Sequence, residues 1–236
     1  MFIRFDRQRA IAMKEVNMST VIDVYPSSAH VPTFKQFADT VQAVLIEHRA
    51  DPHLAEIVGG VSDAELRPHI ERVMEMPGGK HWARFDDETE TLDFRGDDYG
   101  WLSFPVIEYA FDFYFDDDVN EFEDLPHTAV IAEYAERAAL IGSLQGFPFE
   151  KTARIEHSWF LRMQAAQPLQ TRILAGYVAV ALARLTEGFL YSDDGGIDYD
   201  RAPADPATFL SWYPEWITHD MLGPPTDDPS MKKEQR

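Results

Sequence analysis

The 236-residue chain contains no cysteine. Disulfide bonds, thiolate metal sites and cysteine nucleophiles are therefore excluded. Long apolar runs are also missing, since the longest, between Arg172 and Arg184, is about half the length that a membrane-spanning helix needs. The first residues lack a continuous apolar core and a small-residue cleavage site, so the sequence predicts no secretory signal. We expect a soluble cytoplasmic protein that does not bind membranes.

Basic residues are scarce, with 21 lysines and arginines against 41 aspartates and glutamates. The imbalance is concentrated in residues 86–124, here called the acidic segment, which carry 15 acidic side chains and one arginine. Residues 1–85, by contrast, carry 11 acidic and 10 basic side chains. A nucleic-acid-binding protein needs a basic footprint, which no window supplies outside the first residues. The acidic segment instead favours a basic protein partner, because such a field speeds association and selects partners.

Familiar catalytic signatures are absent from the sequence. It contains no G-x-S-x-G, no P-loop, no G-x-G-x-x-G and no His-Glu-x-x-His zinc motif. The triplet Asp116-Asp117-Asp118 begins a stretch with EF-hand-like spacing. However, Glu121 replaces the glycine needed for the turn, and His127 replaces the bidentate glutamate. The spacing of residues therefore predicts no metal site, no cofactor and no catalytic residue.

Hydrophobic periodicity predicts an α+β fold, with helices packed on a mostly antiparallel sheet of five or six strands. Strands are predicted at 21–25, 81–85, 90–94, 100–104, 108–116 and 189–191. Helices are predicted at 33–49, after Ser62, at 128–144, at 168–187 and after Asp205. Residues 153–160 fit either a strand or the start of a helix. We expect a single domain at 18–222, a disordered extension at 1–17 and a flexible tail at 223–236.

The clearest strand-like alternation lies at 108–116. One face of this strand carries Tyr109, Phe111, Phe113 and Phe115. The other face carries Ala110, Asp112, Tyr114 and Asp116. The aromatic face is predicted to be core, and the acidic face to meet water or a partner. The candidate partner-binding residues are the acidic and tyrosine side chains in and near this strand: Asp97, Asp98, Asp112, Tyr114, Asp116, Asp117, Asp118 and Glu121.

Two stretches resemble a known family. The first is Val24-Tyr25-Pro26, followed by Pro32-Thr33-Phe34 at the start of an amphipathic helix. The second runs from Gly188 to Gly195 and is followed by a capped helix containing Trp212-Tyr213. Both resemble segments of the cytosolic immunity proteins of bacterial polymorphic-toxin systems, which are acidic α+β proteins that neutralise a cognate toxin. The resemblance implies a toxin domain as the partner and assigns no role to any individual residue.

The sequence is compatible with three functions. The first is an immunity-type inhibitor that binds a basic partner through the acidic segment. The second is a carboxylate-based or metal-assisted hydrolase that uses Asp97, Asp98, Asp112 and Asp116 with a histidine. That function requires the carboxylates to converge in three dimensions. The third is a non-catalytic accessory protein whose charge maintains solubility.

Overall fold

The computed structural model describes residues 19–84, 89–94, 98–104, 108–117, 126–164, 167–192, 194 and 196–222. The strands within these ranges are β1 (Thr20–Tyr25), β2 (His69–Met76), β3 (Gly79–Arg84), β4 (Tyr99–Phe104), β5 (Tyr109–Asp116), β6 (Ser158–Met163) and β7 (Phe189–Tyr191). The α-helices are α1 (Phe34–Glu47), α2 (Pro52–Val58), α3 (His127–Ile141), α4 (Phe149–Thr152), α5 (Leu169–Leu185), α6 (Pro206–Leu210) and α7 (Tyr213–Leu222). Two short 3-10 turns lie at Asp63–Leu66 and Tyr199–Arg201. The predicted extension at 1–17 and tail at 223–236 lie outside the described residues.

The strands form one antiparallel sheet in the order β3-β2-β4-β5-β6-β1-β7. The α+β prediction is confirmed, but five or six strands is too low, because the described residues form seven. The predicted strand at 90–94 is wrong. Among the described residues of that stretch, Thr91 makes only an isolated bridge to Thr33. The missed strand is β2, whose polar residues lie on both faces, and residues 158–163 settle the ambiguous stretch as β6.

Helix α5 is the centre of the helical layer. Of its 17 residues, 13 are buried, and the helix confirms the one predicted at 168–187. It contacts β1, β5, β6 and β7 on one side, and α1, α2, α6 and α7 on the others. We call the sheet face covered by α1 and α5 the inner face and the opposite one the outer face. None of the helices in the described ranges is both long enough and apolar enough to cross a bilayer.

The outer face is covered at one end. Tyr134 of α3 packs against Tyr25, Phe189 and Tyr191, with ring centroids 5.2, 6.1 and 4.2 Å away. Phe149 at the start of α4 also packs against Phe189, at 5.5 Å. These contacts place α3 and α4 over β1 and β7. The outer sides of β3, β4, β5 and β6 still carry exposed or partly exposed aromatic side chains.

The chain directly after α1 forms a short helix, α2, that the sequence pattern does not predict. The sequence predicts that Asp51-Pro52 ends the first helix. In the structure, the pair also begins α2, because Asp51 Oδ1 accepts hydrogen bonds from the backbone amides of His53 and Leu54. Pro52 occupies the first helical position, where its missing N–H costs nothing.

Candidate partner-binding face

The predicted alternation on β5 is confirmed. Phe111 and Phe113 are fully buried on the inner face, where Phe113 stacks on Phe37 of α1 at a ring-centroid distance of 5.3 Å. Successive side chains of a strand alternate between faces. Asp112 and Tyr114 therefore project from the outer face, on the central strand of the sheet.

A row of aromatic rings crosses the outer face. Tyr114 of β5 lies between Phe160 of β6 and Tyr99 of β4. Its ring stacks on Phe160 at 4.6 Å with an interplanar angle of 9°, and on Tyr99 at 5.1 Å with an angle of 25°. Such pairs contribute about 0.5–1.5 kcal/mol each beyond the area they bury. Because the ring faces cover one another, the stack presents ring edges and hydroxyl groups outward.

Two tryptophans extend this row towards the edge strand. Trp82 of β3 meets Trp101 of β4 edge to face, with ring centroids 5.8 Å apart. Val73 of β2 is paired in register with both Trp82 and Tyr99 and is fully buried on this face. Trp82 itself is 51% exposed. A side chain of this size left half in water is a feature of interaction surfaces.

A carboxylate lies within this aromatic surface. Asp112 is only 8% exposed and is flanked in register by Trp101 and Arg162. The Tyr114 hydroxyl donates a long hydrogen bond of 3.5 Å to Asp112 Oδ2. Burial raises the pKa of Asp112, while the positive charges of Arg162 and Lys80 and the Tyr114 hydrogen bond act in the opposite direction. The carboxylate is thus held where its charge is poorly solvated.

Lys80 joins the same group. Its Nζ donates to Tyr99 Oη at 3.0 Å and lies 5.0 Å from the centroid of that ring. Together these distances place the ammonium group beyond the hydroxyl and not above the ring, so the contact is a hydrogen bond. We define the outer-face patch by the residues that share this surface: Lys80, Trp82, Tyr99, Trp101, Asp112, Tyr114, Phe160 and Arg162.

The burial of Asp112 leads to a prediction about stability. A raised pKa means that the folded protein holds a proton more tightly than the unfolded chain does. The folded state is therefore destabilised relative to the unfolded chain as pH rises from the unfolded pKa of Asp112 through its higher folded pKa. We expect Asp112→Asn to raise the unfolding midpoint by roughly 2–4 °C near neutral pH, equivalent to about 1 kcal/mol. Thermal unfolding followed by circular dichroism at about pH 7.5 and about pH 4 would test this, because the gain should shrink at the lower pH.

Asp39→Asn provides a control of opposite sign. Hydrogen bonds and the charges of Lys35 and Arg67 hold the pKa of Asp39 below its usual range, with the Lys35 hydrogen bond the largest cause. That carboxylate stabilises the fold at neutral pH, so its removal should lower the unfolding midpoint slightly. If both variants shift the midpoint in the same direction at neutral pH, the account given for Asp112 is wrong.

The remaining predicted site residues do not all join this surface. Asp98 pairs with Arg72, with Nε to Oδ2 at 3.0 Å, and Arg72 alternates with the outer-face residue Val73. Asp98 is therefore directed away from Asp112. Asp116 ends β5 on the outer face, in register with Ser158, and the exposed Asp117 follows it. The other predicted residues, Asp97, Asp118 and Glu121, lie outside the described residues.

The carboxylates needed for a hydrolase do not converge where the structure describes them. Asp112 and Asp116 are four residues apart on one strand, or roughly 13 Å. Asp98 is engaged with Arg72. Within the described ranges, no group of three or more histidine, aspartate or glutamate residues could hold a metal ion.

Two histidines lie near the end of β5 and belong to the core. His157 packs against Phe115 and Trp159, with ring centroids 5.2 and 4.9 Å away. Nε2 of the buried His127 donates to the Thr152 carbonyl at 3.4 Å. Burial lowers the pKa of both histidines. Both are therefore neutral near pH 7, and we assign them a packing role.

Sequence reasoning missed most of the patch. It identified Asp112 and Tyr114 from the alternation of β5, but not the aromatic residues Tyr99, Trp101 and Phe160. Alternation within β4 would have placed Tyr99 and Trp101 on one face. No pattern in the sequence says that β4 and β6 flank β5, which is what joins their side chains.

No family model, curated protein or solved structure matches the chain. The outer-face patch and the charge around it are therefore the features of this chain that bear on its function.

Proposed function

We propose that this protein binds a basic protein partner through the outer face of its sheet, in the manner of an immunity-type inhibitor that neutralises a toxin domain. The observation that carries the proposal is the outer-face patch itself. It combines a rigid aromatic surface, partly exposed, with a poorly solvated carboxylate on the central strand.

The aromatic side chains supply what the centre of a protein interface needs. Tyrosine, tryptophan and arginine are enriched at the positions that dominate binding energy. Tyr114 is held between two stacked rings, at 4.6 and 5.1 Å, so binding would immobilise it at little further entropic cost. A preorganised surface of this kind favours a protein partner with complementary shape.

Charge determines the kind of partner. Strands β4 and β5 both belong to the acidic segment, whose net charge is −14 from 15 acidic side chains and one arginine. Half of the patch, namely Tyr99, Trp101, Asp112 and Tyr114, therefore comes from the most negative part of the chain, whereas Lys80 and Arg162 lie outside it. A basic partner would be attracted over a distance of about one Debye length, roughly 8–10 Å at physiological salt. Such attraction mainly raises the association rate and excludes acidic competitors.

A charge-reversal experiment tests the proposal. The probe is a fluorescein-labelled nona-arginine peptide, and binding is followed by fluorescence anisotropy over a range of salt concentrations. Asp116→Lys with Asp117→Lys alters the outer-face end of β5. Glu56→Lys with Glu215→Lys is the matched control, because both glutamates are exposed on the helical side, in α2 and α7. The two double variants change the net charge by the same amount.

We expect the wild-type protein to bind the probe with an affinity that falls steeply as salt increases. The Asp116/Asp117 variant should bind about tenfold more weakly, which corresponds to about 1.4 kcal/mol, and the control variant should change much less. Equal weakening in both variants would mean that the acidity acts as a diffuse field. That result would favour the accessory-protein alternative.

A further inference from the structure

We propose that residues 1–18 bind the outer-face patch of the same molecule and compete there with the basic partner. The inference rests on the proposed function, because it concerns the regulation of the same surface. It is carried by three observations: the composition of the segment, the place where the chain enters the sheet, and the length of chain before that place.

The composition of the segment matches the patch. Residues 1–18 carry Arg4, Arg7, Arg9 and Lys14 against two acidic side chains, in a protein whose formal net charge is −20. The segment therefore has a net charge of +2, opposite in sign to that of the acidic segment. It also carries Phe2, Ile3 and Phe5 among the arginines. Arginine and apolar side chains are what a face of aromatic rings around the carboxylate of Asp112 would bind, since guanidinium groups stack on aromatic rings and pair with carboxylates.

The chain enters the sheet beside the patch. Ser19 is the first described residue, and its Oγ accepts a hydrogen bond of 3.3 Å from Nε of Arg162, a patch residue. Val21 pairs with Arg162 across β1 and β6, and Arg162 pairs with Asp112 across β6 and β5. The segment therefore starts two strands away from Asp112 and on the same face of the sheet.

The segment is long enough to cover the patch. From β6 to β3 the patch spans four strand spacings, or about 19 Å. Eighteen residues reach about 27 Å as a helix and up to roughly 60 Å when extended. Tethering also raises the local concentration of the segment to about the millimolar range, so an intrinsic dissociation constant of about 0.1 mM would keep the patch about 90% occupied.

The test uses two charge-reversal variants of the full chain. One carries Arg4→Glu, Arg7→Glu and Arg9→Glu. The other carries Lys232→Glu, Lys233→Glu and Arg236→Glu in the C-terminal tail and changes the net charge by the same amount. We expect the N-terminal variant to bind the labelled nona-arginine peptide at least about threefold more tightly than the tail variant does. Arg4→Lys, Arg7→Lys and Arg9→Lys together should restore only part of the wild-type behaviour, because lysine keeps the positive charge but stacks less well on aromatic rings.

A second measurement does not depend on the probe. Acrylamide quenching of tryptophan fluorescence should increase in the N-terminal variant, because Trp101 and Trp82 become more accessible, and should stay unchanged in the tail variant. The increase should shrink when Trp82→Phe is added. Equal quenching and equal probe affinity in the two charge variants would overturn the self-binding proposal, even if nona-arginine binds well and the proposed function stands.

Two other outcomes separate the proposals further. If the probe binds none of the proteins but quenching still differs as expected, the proposed function fails and the segment nevertheless occupies the patch. If the wild type elutes as a dimer in size-exclusion chromatography and the N-terminal variant as a monomer, the segment binds a second copy. That result would overturn the intramolecular proposal.

Discussion

Gly176→Ala should destabilise the fold by about 3–5 kcal/mol and lower the unfolding midpoint by roughly 10 °C. Gly176 lies within the buried helix α5, directly against Tyr213 of α7. A Cβ atom at this position would overlap ring atoms Cε1 and Cδ1 of Tyr213, the latter at 2.5 Å. Real Cβ atoms are essentially never found so close to another heavy atom, so either the ring or the helix must move.

The ring of Tyr213 has little freedom to move. It is fully buried, and its hydroxyl donates to the backbone carbonyl of Arg172 at 2.9 Å. It also stacks on Phe209 at 4.5 Å and 20°. Any displacement therefore breaks a buried hydrogen bond or opens the contact between α6 and α7. The overlapping atoms belong to a fixed ring and not to the flexible end of a side chain. The overlap with the added methyl group therefore cannot be relieved by a small movement, and we expect a large loss of stability.

Urea denaturation and thermal unfolding of the variant would measure the loss. Gly60→Ala is the matched control, because a Cβ atom there meets nothing within 4 Å, and we expect a change of less than about 0.5 kcal/mol. Tyr213→Leu should partly relieve the overlap, so the double variant should be more stable than the sum of the two single effects predicts. Strict additivity of Gly176→Ala and Tyr213→Leu would show that the clash with this ring is not the cause.

Tyr114→Ala should weaken nona-arginine binding by about 10- to 30-fold, or about 1.4–2 kcal/mol. Tyr114 is the middle ring of the stack, so its loss leaves Phe160 and Tyr99 without a shared neighbour. It also removes a hydroxyl beside Asp112 and lets water reach that carboxylate. Both changes reduce the preorganisation of the patch. Tyr114→Phe keeps the stack and should lose much less affinity.

Tyr199→Ala is the matched control for this experiment. Tyr199 is 49% exposed and packs under the guanidinium group of Arg137 at 3.2 Å, so its removal also breaks a ring contact. It lies in the 3-10 turn at Tyr199–Arg201 and is not part of the patch. We expect wild-type affinity from this variant. If Tyr114→Ala and Tyr199→Ala bind the probe equally well, the patch does not contribute to recognition.

The sequence predicts an element well where local chemistry alone determines it. Thr33 caps α1 through the capping box with Gln36, and the period-two pattern of β5 places Phe113 in the core and Tyr114 outside. Strand β2 escapes such reasoning, because Glu71 and Arg72 put charge on both of its faces. Glu71 lies on the outer face, and Arg72 is compensated by an ion pair with Asp98. That partner is 26 residues away, and no periodicity reveals it.

The candidate site could likewise be predicted only within a single strand. Asp112 and Tyr114 could be assigned to one face because both lie on a single strand. Phe160 joins them only because β6 pairs with β5, although 41 residues separate the two strands in the chain. The burial of Asp112 likewise depends on neighbours from other strands. Binding surfaces that cross several strands are fixed by strand order, which is decided by long-range packing.

The position of β1 has a consequence for biosynthesis. Of the strands that the structure describes, β1 comes first in the chain, yet its two neighbours are β6 and β7, at Ser158–Met163 and Phe189–Tyr191. Strands β2, β3, β4 and β5 pair with near neighbours in sequence and can form while translation continues. β1 must wait until most of the chain has left the ribosome. Insertion of β1 between β6 and β7 is therefore a late event that follows the synthesis of both partners, whereas most of the outer-face patch can assemble before it.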